Sequence, residues 1–173
     1  VLRRRAAGAG VDPLDPAQVS RVRAVLSLGG VPGSELQDGV QQVRLRLLER
    51  TAGGLGVPQD VGAWAAVVAS RLAVDWHRMR NRQERIGTRL ASLLPPDHST
   101  EGGHEARLVA LAVAEGLDAL PARQRQVLIL RFYADLSVPQ IAAELEIPEG
   151  TVKSRLHAAA KSLRERLHVN EVV

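Results

Sequence analysis

Along much of the chain, apolar residues return every three or four positions. Leu36, Val40, Val43 and Leu47 fall on one helical face between Glu35 and Arg50, and Asp38, Gln41, Gln42, Arg44 and Arg46 fall off it. Trp64, Val67, Val68, Leu72 and Val74 open a longer helical stretch over Val61–Leu90, and a shorter helix is predicted near Ala17–Leu28. Gly29-Gly30-Val31-Pro32-Gly33 and Gly53-Gly54-Leu55-Gly56-Val57-Pro58 separate these helices with turn residues. A second helical block over Glu105–Leu167 is broken at Pro121, near Asp135 and at Pro148. No period-2 alternation supports a strand, so the expected fold is all-α.

The block boundaries give the expected organisation. Residues 1–16, rich in Arg, Gly and Pro, read as a disordered N-terminal tail. Residues 17–92 form one helical domain, and residues 93–104, with Pro95-Pro96 and Gly102-Gly103, form a flexible linker. Residues 105–173 form a second helical domain.

The strongest local pattern runs from Leu136 to Leu156. Ser137 stands where an N-cap belongs, and Gln140 three residues on completes a capping-box spacing. Pro139 is tolerated in a first turn, whose amides lack partners within the helix. Val138, Ile141, Ala142 and Leu145 make one apolar face. Glu146-Ile147-Pro148 breaks the helix, and a second begins at Glu149-Gly150-Thr151 with Val152, Leu156, Ala159, Leu163 and Leu167 inward. Many such turns carry Gly where this chain has Glu146; a positive φ there would cost on the order of 1 kcal/mol. Two short helices joined by a three-to-four-residue turn make a helix-turn-helix, the motif that seats its second helix in the major groove. The outer face of that helix carries Thr151, Lys153, Ser154, Arg155, His157 and Lys161. Arginine can grip guanine bidentately, and lysine meets phosphate as a point charge. Upstream, Pro121 opens a supporting helix whose face is Val127, Leu128 and Leu130–Arg131, and Phe132 and Tyr133 read as core anchors.

Composition adds direction. Aromatic residues make up only 2% of the chain, so the cores must be aliphatic. Net charge is +4 and the pI about 10.5, which favours a polyanionic partner. With no cysteine, disulfides and thiolate metal sites are excluded. The five histidines are scattered, with no i, i+4 pair, and no phosphate loop or nucleophile motif occurs. No catalytic residue, metal or cofactor is therefore expected. No apolar run approaches the ~18 residues of a membrane span, and no signal-peptide block follows the basic start. The expected setting is cytoplasmic, without membrane insertion.

The run LPARQRQVLILRFYADLSVPQIAAELEIPEGTVKSRL resembles region 4 of bacterial sigma factors, in the pattern of the extracytoplasmic-function (ECF) group. DGVQQVRLRL, from Asp38 to Leu47, resembles the region 2.2 helix of that group, and WAAVVASRLAVDWHRMRNR, from Trp64 to Arg82, resembles regions 2.3 and 2.4. The resemblance implies a sigma factor that binds core RNA polymerase and directs promoter-specific initiation. The recognition helix would read the −35 element. Arg71, Asp75, Trp76, His77, Arg78 and Arg82 would lie at the −10 element, with Trp76 able to stack a base and Trp64 in the core. Asp38, Gln41 and Gln42 would face the β′ clamp helices, the second domain would meet the β flap, and an anti-sigma factor would be a further partner. The chain departs from the group at Gly39 (a large apolar residue there), Arg44 (an aromatic) and Arg71 (Asn). A stand-alone helix-turn-helix regulator, or a divergent sigma-like protein needing a partner, stays open.

Overall fold

The computed structural model describes residues 12–79 and 113–170, with side chains through residue 166. Every regular element among them is helical: α1 (Pro16–Leu28), a 3-10 turn (Gly33–Glu35), α2 (Leu36–Ala52), α3 (Val61–Met79), a helical stretch over 113–118, α4 (Ala122–Phe132), α5 (Val138–Leu145) and α6 (Glu149–Asn170). The expected linker 93–104 lies outside the described residues, as do Arg82 and the continuation of the third helix toward Leu90.

The first three helices follow the sequence reading closely, because their signals are local. Leu36, Val40, Val43 and Leu47 are all buried on α2. On α3, Ala65 through Ser70 form one buried run, continued by Ala73 and Val74, and α3 packs on both α1 and α2. A capping box that the sequence reading passed over starts α1. Asp15 Oδ1 accepts from the Gln18 amide at 2.8 Å, and Gln18 Oε1 accepts from the Asp15 amide at 3.0 Å.

The tail assignment of residues 1–16 needs correction over its last five residues; residues 1–11 lie outside the described part. Leu14 is 1% exposed within the core, Asp15 caps α1, and Asp12 pairs with Arg44 on α2. Asp12 accepts the Arg44 Nε–H at 2.8 Å and a second bond from Nη2. These bonds hold its carboxyl below the ordinary value of 3.8. Arg44, where the family has an aromatic, thus fastens the chain ahead of α1. Gly39 also has a packing reason: a Cβ there would lie 2.6 Å from Leu26 Cδ1, so α1 presses its leucine into the space.

The second half packs onto the first. α4 lies against α3 and α6, and α5 lies against α6. One apolar cluster runs from Val22 and Val67 through Val127, Ile129 and Ile141 to Val152. Ala114, Leu117, Leu120 and Ala159 make a smaller one. Arg125 on α4 binds the halves most densely and is 1% exposed. Its guanidinium donates to the Leu120 carbonyl at 3.1 Å, the Asp118 carbonyl at 3.2 Å and, across the halves, the Gly29 carbonyl at 3.5 Å. It also meets His77 Nε2 at 3.1 Å and the Asp118 carboxylate at 3.5 Å. Gln126 adds a bond from Nε2 to Ser70 Oγ at 3.2 Å.

Candidate nucleic-acid interface

The helix-turn-helix is built as its sequence dictates. The Ser137 amide donates to Gln140 Oε1 at 2.8 Å, and Ser137 Oγ accepts from the Gln140 amide at 3.4 Å, which starts α5. At its end Glu146 adopts φ 55°, ψ 45°, the left-handed region that glycine fills more cheaply. The Ile147 amide then closes on the Ala142 carbonyl at 3.0 Å, and Ile147 packs against the core beneath the turn. Pro148 accepts the Thr151 amide at 2.9 Å, and α6 begins. Ala142, 8% exposed, is a small buried residue on α5, which packs on α6.

Burial splits α6 into two faces. Val152 and Ala159 are fully covered, and Leu156 and Leu163 are half-buried. Lys153, Ser154, His157 and Lys161 are exposed, and Thr151 and Arg155 are half-buried. Lys153 reaches Glu149 at 3.5 Å and Lys161 reaches Glu165 at 3.9 Å, both one turn away and both exposed. Such pairs are worth little and exchange readily for phosphate. Burial and the nearby charge of Arg123 press the Arg155 guanidinium below its ordinary value.

The residues expected at the −10 element are dispersed around the end of α3. Arg71 crosses to the second half and donates to the Glu144 carbonyl near the end of α5, whose terminal carbonyls lack helical partners. Asp75 accepts from Arg78 at 3.3 Å, and both are exposed. Trp76 is half-buried and donates from Nε1 to Glu35 Oε2 at 2.7 Å. His77 faces Arg125. Trp64 is half-buried against the core, near the place expected for it.

On α2, Asp38, Gln41 and Gln42 are exposed together. The sequence reading missed the continuation of that stripe by Leu45 and Leu48, 55% and 52% exposed. The signal was present: both leucines fall out of register with Leu36, Val40, Val43 and Leu47. Phe132 and Tyr133 are not core anchors. They are 74% and 44% exposed at the end of α4, with Arg131 stacked 6.0 Å from the Phe132 ring centre. Leu130 and Ala134 take the buried positions around them.

A family model described as Sigma-70, region 4 matches residues 110–163, a span that includes α4, α5 and most of α6. The ECF RNA polymerase sigma factor SigL of Mycobacterium tuberculosis is 34% identical over 142 residues, covering 82% of this chain and 79% of that protein. The ECF RNA polymerase sigma factor SigF of Caulobacter vibrioides is 32% identical over 142 residues, covering 81% and 74%. The fold is similar to that of the sigma factor RpoE, solved with the anti-sigma factor NepR from Bartonella quintana, at a TM-score of 0.64 and 20% identity over 88% of this chain and 93% of that one. With helix-turn-helix and relatives in agreement, the chain belongs to the ECF RNA polymerase sigma factors.

Proposed function

We propose that this protein joins core RNA polymerase in the cytoplasm and directs initiation at promoters whose −35 element is read by α6. The observation that carries this reading is the division of α6 into a buried Val152/Ala159 face and an open face bearing Lys153, Ser154, His157 and Lys161. An exposed basic face on the second helix of a helix-turn-helix is what groove entry needs. Thr151 and Arg155 complete the set at the start of the helix. The protein carries no chemistry of its own; nucleotidyl transfer belongs to polymerase.

The first helical half, from residue 12 onward, and residues 105–173 act as two domains across the linker 93–104. The first engages the −10 element with Arg71, Asp75, Trp76, His77, Arg78 and Arg82. The exposed stripe Asp38, Gln41, Gln42, extended by Leu45 and Leu48, meets the β′ clamp helices, and the second domain meets the β flap. A mixed polar and apolar stripe suits a protein partner better than solvent. An anti-sigma factor belongs among the partners, as for the similar RpoE.

The packing of α4 on α3 favours one refinement. Arg71, His77 and the Gly29 carbonyl are engaged with the second half, so α3 reaches a melted strand only after the halves part. This supports a sigma factor that needs polymerase or another partner to open it. Run-off transcription with purified core polymerase tests the reading. Initiation at defined starts that depends on this protein is expected. Tight duplex binding without core, and no initiation with it, would instead identify a stand-alone regulator.

A further inference from the structure

Between the halves lies a cleft of about 390 Å³, within the range of small-molecule sites. Its wall is unusual in charge. Among the described residues, Arg46, Arg71, Arg78, Arg123 and Arg155 converge on it from α2, α3, α4 and α6, against a single carboxylate, Asp75. Asp75 already accepts from Arg78 at 3.3 Å, and Arg71 spends one N–H on the Glu144 carbonyl. Among the described residues of the cleft wall, no other carboxylate answers the remaining guanidinium donors. Burial first, and the charge of Arg123 second, press the Arg155 guanidinium below its ordinary value, so like charge contributes within the cleft. Val74, Leu145 and Ile147 supply an apolar side to the same cleft.

We propose that this cleft is a binding site for a small polyphosphate anion, of the nucleoside di- or triphosphate class, which bridges the two halves and holds them together. Guanidinium forks match phosphate oxygens bidentately, and several forks from different helices suit an anion with several phosphates better than a single sulfate. The apolar side gives a base or sugar a surface to lie on. Arg71, Asp75, Arg78 and Arg155 are the same residues assigned to promoter contacts, so an occupied cleft and a promoter-bound protein exclude one another. The ligand would therefore act as an effector that withdraws the protein from transcription. Arg46 and Arg123 belong to the cleft alone, which separates this site from the DNA-reading one.

Isothermal titration of the full chain at physiological salt tests the inference, with sodium tripolyphosphate, guanosine triphosphate and sulfate as probes. Saturable 1:1 binding of at least one polyphosphate, tighter than sulfate, is expected. Arg123→Gln and Arg46→Gln should each weaken it by about tenfold, the loss of one charged hydrogen bond. Arg164→Gln, which removes the same charge from exposed α6 surface away from the cleft, should leave it unchanged. Both Arg123 and Arg46 are exposed, and circular dichroism checks that the variants stay folded. Guanosine triphosphate binding tighter than tripolyphosphate assigns the apolar side to a nucleoside; equal binding assigns the site to inorganic oligophosphate. No saturable binding, or binding that Arg164→Gln weakens as much as Arg123→Gln, would overturn the proposal. Retention of promoter DNA by holoenzyme carrying the unmodified protein, measured without nucleotides or other polyphosphate, judges the promoter reading separately.

Discussion

The two segments assigned to DNA sit in opposite circumstances. The outer face of α6 is open, and Lys153 and Lys161 pair with exposed carboxylates on their own helix. The end of α3 is occupied: Arg71 binds the Glu144 carbonyl, His77 meets Arg125, and Trp76 is tied to Glu35. A face that reads duplex needs only exposure, since the groove comes to it. A face that works on a melted strand can stay covered until polymerase has separated the halves. On the proposed reading, recognition and opening fall under different control within one chain.

The largest expected effect comes from cutting the tie between the halves. Arg125→Ala removes a buried cation from three carbonyls, His77 and Asp118. Breaking a buried pair from one side costs about 3–5 kcal/mol, measurable by urea unfolding. Amide exchange should then rise along α3 and α4 and change little on the open face of α6. Equal loosening of both regions would erase the contrast between them.

Within the first half, Gly29→Ala should cost about 2–3 kcal/mol, near the upper end for overpacking. Its Cβ would overlap Ala73 Cβ and stand 3.0 Å from the Val25 carbonyl, neither of which can swing away. Thermal unfolding checks this, and a neutral result would mean that α1 and α3 pack less tightly than described. Glu146→Gly acts in the opposite direction and in the other half. It relieves the left-handed backbone at φ 55°, less the entropy glycine adds to the unfolded chain. A net gain of about 0.5–1 kcal/mol is expected, again by urea unfolding.

What the sequence made legible follows the range of each interaction. The Ser137–Gln140 box, the break at Glu146 and the inward set Val152, Leu156 and Ala159 are decided within one or two turns, and the structure has them where expected. The positive φ considered for Glu146 is present as well. Arg125 was not legible as a buried residue, because its partners lie at Gly29, His77 and Asp118, far apart in the chain. Arg44 and Arg71 read as departures from the family, and their partners Asp12 and the Glu144 carbonyl emerge only on folding. Phe132 and Tyr133 misled because large aromatics favour burial, whereas the turn of α4 directs Leu130 and Ala134 inward instead.

The smallest effect concerns Asp12. Its carboxyl is held below the ordinary 3.8 in the folded protein by Arg44. The stabilisation is therefore complete above that value and is lost as pH falls through the lowered one. Asp12→Asn should lower the melting temperature slightly at neutral pH, and the gap to the unmodified protein should close in strong acid. A gap independent of pH would show that the Arg44 pairing is not its source.

The most direct test of the account is the base preference of Arg155 on α6. Holoenzyme carrying this protein, or its Arg155→Ala variant, is bound to a promoter pool randomised across the −35 element, and the retained sequences are compared. The expected result is relaxed preference at one base pair, by about 1–3 kcal/mol, with preference elsewhere in the element kept. An identical sequence profile for the two proteins would contradict groove reading by this helix.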